Sequence, residues 1–102
     1  MRLNLRPLHA TDQLAVNRRW PALLPGLMRK GLSLQDAAAL AHNVTFLFYA
    51  LELDAPPRSP ADLLDHFSLS QIARLCEAYR ERAEQLEQLA LPDSDEPQEV
   101  VL

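Results

Sequence analysis

The sequence predicts an all-α fold: a small helical bundle around a central buried helix, with a short extended N-terminal arm and a disordered acidic C-terminal tail. Three observations predict it. Apolar residues make up 48% of the 102 residues, and Leu and Ala dominate them, while glycine occurs twice and β-branched residues are few. Apolar positions recur at three- and four-residue steps through two long stretches, residues 33–53 and 68–91. Both stretches open on a serine with a capping partner three residues on. A chain of this length forms one domain with a modest core. The expected division is a single helical domain over 1–91 and an unstructured tail over 92–102.

In the arm, Leu3 and Leu5 alternate with Arg2, Asn4 and Arg6 up to Pro7, the pattern of a short extended arm or edge strand. Thr11 is the expected cap of the first helix, with Asp12 in its first turn facing the positive end of the helix dipole. Pro21 lacks an amide hydrogen and forces an interruption near Trp20. Residues 21–30 then predict a bent hairpin or two short helices, with Pro25-Gly26 as a turn signal and Leu23, Leu24, Leu27 and Met28 as apolar cover.

The central helix is expected over Ser33 to Leu53. Ala37, Leu40, Ala41, Val44, Leu47, Phe48 and Leu51 share one face, and His42, Phe46, Tyr49 and Leu53 lie opposite. A helix that is apolar on two faces needs cover on both. Pro56-Pro57 ends the stretch, and Ser59-Pro60-Ala61-Asp62 starts a short helix carrying Leu63, Leu64 and Phe67. Ser68 and Gln71 form a capping box for the last helix, whose stripe is Ile72, Leu75, Cys76, Tyr79, Ala83, Leu86 and Ala90. Pro92 stops it, and the acidic run from Asp93 to Glu99 has too little apolar surface to order itself.

Charge divides the chain. Residues 1–31 carry six basic side chains against one acid, and residues 32–102 carry four against thirteen, within a net charge of −4. Arg18, Arg19, Arg29 and Lys30 are the candidate contacts of a small nucleic-acid-binding regulator, the alternative function. Overall acidity, a single lysine and the lack of a glycine-rich or aromatic-interleaved basic run argue against it. The lone cysteine, Cys76, excludes an internal disulfide. No signal peptide and no membrane-spanning stretch is visible, so a cytoplasmic protein is expected.

The sequence offers no catalytic, cofactor or metal constellation. Cys76 sits on an apolar stripe beside Ile72 and Tyr79, where a packed thiol is expected rather than a nucleophile. His9, His42 and His66 are scattered. Asp62, Asp65 and His66 cluster on one turn, but Asp62 and His66 are a surface pair at i,i+4 without a third strong ligand. Neither glycine belongs to a phosphate-cradling loop. A non-enzymatic protein is therefore expected.

Leu5-Arg6-Pro7-Leu8-His9-Ala10-Thr11-Asp12-Gln13-Leu14 resembles the strand-to-helix passage of tail assembly chaperones of long-tailed bacteriophages. Phe67-Ser68-Leu69-Ser70-Gln71-Ile72-Ala73-Arg74-Leu75 is similar to the capped amphipathic helix that closes those proteins. The resemblance implies a small acidic helical protein that shields apolar segments of tail-tube or tape-measure proteins in the host cytoplasm and leaves before the virion matures. It implies no catalytic residues.

A partner surface is expected where the last helix outruns its cover. Leu86 and Leu89, with Leu23 and Leu27 facing them, are the candidate partner-binding residues, serving a client helix or a second copy in a homodimer. Val100-Val101-Leu102 is a further candidate apolar plug on an acidic tether.

Overall fold

The structure, a computed structural model, describes residues 2–88 and 97–102, with side chains up to residue 85 and from residue 97 onward. It is mostly helical, with a small three-stranded sheet that the all-α expectation lacked. The elements are β1 (Arg2–Leu5), α1 (Ala10–Arg19), a 3₁₀ turn (Trp20–Leu23), α2 (Leu24–Arg29), α3 (Leu34–Ala50) and β2 (Leu51–Glu52). A second 3₁₀ turn (Pro60–Asp62), α4 (Leu63–His66), α5 (Leu69–Gln88) and β3 (Gln98–Val101) follow.

β1 does alternate, with Leu3 and Leu5 buried and Arg2 and Asn4 exposed. It is neither an arm nor an edge, because the strand order is β2-β1-β3 and both neighbours are antiparallel to it. An alternating pattern reveals a strand but not its neighbours, which here lie far along the chain. Two further corrections follow from the same sheet. The expected central helix ends at Ala50, because Leu51 turns extended (φ −74°, ψ 130°) to pair with Leu5, while the Arg6 amide donates to the Ala50 carbonyl at 2.8 Å. The expected disordered tail contains β3: Val100 is only 4% exposed and pairs with Leu3, while Glu99 points outward. Counting acidic residues over the tail misses this, because in a strand charge and apolar side chain alternate between faces. Residues 92–96 of that expected tail lie outside the described residues.

The helix starts are set by local chemistry. α1 begins before the expected Thr11 cap. His9 holds the cap position, its amide donating to Asp12 Oδ2 at 3.1 Å, and the Arg6 guanidinium donates to both oxygens of that carboxylate at 3.2 and 3.3 Å. The arginine and then the amide hold the Asp12 carboxyl below its ordinary range. Pro21 opens the first 3₁₀ turn, and Pro25 lies in the first turn of α2, so Pro25-Gly26 belongs to a helix rather than to a turn. The reversal comes at Gly31, whose φ of 100° suits a residue without Cβ. Ser33 Oγ accepts from the Asp36 amide at 3.1 Å. Ser68 and Gln71 exchange both bonds of their capping box, at 3.0 and 3.1 Å.

α3 packs against α1, α2, α4, α5 and both 3₁₀ turns. Along its 17 residues Ala37, Ala41, Val44, Leu47 and Ala50 are buried, and buried Thr45 satisfies its hydroxyl on the Ala41 carbonyl at 2.7 Å. The larger core joins Val44 and Leu47 to Leu3, Leu5, Leu63, Ile72, Leu75 and Val100. A smaller one sets Leu27 on Ala37 and Ala41.

Candidate interaction surface

The second face of α3 is only partly covered by α5. Phe46 meets the Tyr79 ring edge-on, with centroids 4.8 Å apart, and the Tyr79 hydroxyl is fixed by accepting from the Leu8 amide at 3.0 Å. Next to this pair the helices leave an open groove of ≈ 190 Å³, lined by His42, Asn43, Phe46, Cys76, Tyr79, Arg80 and Ala83. Phe46, Cys76, Tyr79 and Ala83 give it an apolar wall, and His42, Asn43 and Arg80 supply its polar groups. The Trp20 ring steadies His42 edge-on at 6.3 Å.

α5 changes character at this groove. Ile72, Leu75, Cys76 and Ala78 are buried, Tyr79 is half-buried, and Arg80, Glu81, Ala83, Glu84 and Gln85 are exposed. The stripe that closes the core in the first half of the helix therefore continues uncovered at Ala83. Cys76 lies at the junction, 3% exposed, and burial pushes its thiol up from 9.0 to about 11, against a small opposing pull from Arg80. A thiol so raised is almost wholly protonated near neutrality and is a poor nucleophile.

The surface expected from the sequence is placed differently. Leu27 is 5% exposed and belongs to the core, whereas Leu23 is half-buried against both clusters and keeps part of its side chain exposed. The small side chains of Ala37 and Ala41 let α2 approach α3 closely, and Leu27 fills the space between them. Leu86 lies in α5 with its side chain outside the described residues, and Leu89 lies outside them altogether. His42 and Phe46 were legible as the second apolar face of the central stretch. Asn43 and Arg80 carried no signal, since only the crossing of two helices brings them together.

The basic residues are partly engaged. Arg19 donates to the Tyr49 hydroxyl at 2.9 Å and lies over the Phe48 ring at 5.0 Å, and Arg29 Nε donates to the Pro25 carbonyl at 3.2 Å. Arg18 and Lys30 are exposed. Asp62 accepts from the Arg58 amide at 2.9 Å. Among the described residues no group of three His, Cys, Asp or Glu side chains could hold a metal ion, and no helix is long and apolar enough to cross a membrane. No family model matches the chain, and neither the curated proteins nor the solved structures give a match.

Proposed function

We propose that this chain is a small non-enzymatic protein-interaction module, a helical bundle built around α3 that docks an amphipathic helix of a partner protein in the groove between α3 and α5. The resemblance at residues 5–14 and 67–75 supports a narrower form of the reading: an assembly chaperone that shields apolar segments of phage tail proteins. One observation carries the proposal. The apolar stripe of α5 loses its cover at Ala83, directly beside the apolar wall formed by Phe46, Cys76 and Tyr79.

A helix-in-groove mode suits this geometry, because anchors at i, i+3, i+4 and i+7 of the partner would extend the packing that α3 and α5 already make. Ala83 is small and lets a second helix come close. The net charge of −4 opposes contact between the empty grooves of two copies. The nucleic-acid alternative has less support, since Arg19 and Arg29 already hold partners within the chain.

The test is a fluorescence titration with helical peptides tiled across the proteins encoded beside this one, for the wild type and for Ala83→Glu. Saturable binding that is insensitive to salt and lost in the variant is expected. Equal binding by the variant would overturn the groove as the site. Affinity for DNA or RNA that falls steeply with salt, with no peptide bound, would replace this reading with the regulator.

A further inference from the structure

One edge of β1 is held by four residues. β3 pairs with it in the register Arg2↔Val101, Leu3↔Val100, Asn4↔Glu99 and Leu5↔Gln98. Val100 is the buried residue that β3 contributes to the larger core. Leu102, the residue after β3, packs partly buried against the same core. Gln98 Nε2 donates to the Ala78 carbonyl at 3.1 Å, but Gln98 Oε1 is buried without a hydrogen-bond partner. Arg2 and Glu99 approach to 3.6 Å with side chains 80% and 55% exposed, where an ion pair contributes little.

We propose that the outer edge of β1 is a strand-exchange site, whose second occupant is the Gln98–Val101 strand of another copy of this chain. An empty edge is costly in the folded protein, because removing β3 bares Leu3 and Leu5 and leaves a row of backbone donors and acceptors unpaired. Whatever replaces β3 has to restore the same ladder and put an apolar side chain where Val100 sits. The same strand from a second copy does both without a change of sequence, which is why exchange of an identical element is a low-cost route to a dimer. The rest of the larger core is built from β1, the helices and their connections and does not depend on which copy supplies Val100.

The test uses Asn4 and Glu99, exposed Cα partners across the β1–β3 ladder and within disulfide reach. The single variants Asn4→Cys and Glu99→Cys, mixed at equal concentration, incubated and gently oxidised, are expected to yield a covalent heterodimer that peptide mapping assigns to positions 4 and 99. Its yield should grow with protein concentration and exceed by about tenfold that of Asn4→Cys mixed with Gln85→Cys, an exposed position off the sheet that measures chance encounter. The double variant Asn4→Cys/Glu99→Cys, oxidised at high dilution, should close an intrachain bond, which shows that both substitutions leave β3 in register. A heterodimer yield no higher than the chance pair overturns the proposal, and so does failure of the intrachain bond to form.

Discussion

The two halves of α5 carry the same pattern and meet different fates. From Ile72 to Ala78 the apolar stripe is shut into the core, whereas beyond half-buried Tyr79 Ala83 lies open beside a groove, flanked by exposed Arg80, Glu81 and Glu84. Amphipathic spacing decides which face of a helix turns inward; whether anything covers that face depends on where its neighbours end. Phe46 reaches Tyr79, while His42 is exposed at the next turn of α3, so cover fails between these two levels.

The contrast can be broken or sharpened inside this one helix. The largest effect is expected at Leu75, which is fully buried: Leu75→Ala should cost about 2–5 kcal/mol in denaturant unfolding, through lost transfer energy and a residual cavity. A cost under about 1 kcal/mol would mean that the first half of α5 is as loosely covered as the second. Next comes Cys76. With its thiol raised from 9.0 to about 11, native-state alkylation near pH 8 should run about 100-fold slower than for the unfolded chain. The folded thiol keeps its proton between pH 9.0 and about 11 while the unfolded one loses it, so this group's contribution lowers stability as pH rises through that window. Rapid labelling at pH 8 would show that the groove opens as far as the thiol.

Tyr79→Phe tests the boundary itself. It keeps the ring against Phe46 but strands the Leu8 amide, and a loss of about 1–3 kcal/mol by thermal or chemical melting is expected. The smallest effect belongs to Ala83→Glu, which should change stability by less than about 0.5 kcal/mol because the position is exposed. A large destabilisation there would mean that the second half of α5 is packed after all and that no docking face exists.

Much of the helical part was legible because its signals are local. Ser33 with Asp36, and Ser68 with Gln71, place two helix starts from a handful of neighbouring residues. The sheet was not legible for the opposite reason. Leu51 continues the helical period of α3 and Val100 follows an acidic run, and each becomes a strand residue only through its pairing with β1. The proposed partner surface was half legible. The stripe through Ala83 follows from spacing, but Leu27 looks equally free until α2 is seen to settle on Ala37 and Ala41. His9 shows the limit of capping rules, since histidine is not among the usual cap residues and its place at the helix start is reinforced by Asp12, which Arg6 in turn holds.

The position of β1 between β2 and β3 also sets an order of events during synthesis. β2 leaves the ribosome about midway through the sequence and can seal one edge of β1, but the other edge has to wait for residues 98–101. At ~5–20 residues per second, on the order of 5–20 s separates the emergence of β1 from that of β3. Throughout that interval the Leu3–Leu5 face borders an unfilled edge, where residues 98–101 of a finished copy nearby compete with the chain's own strand.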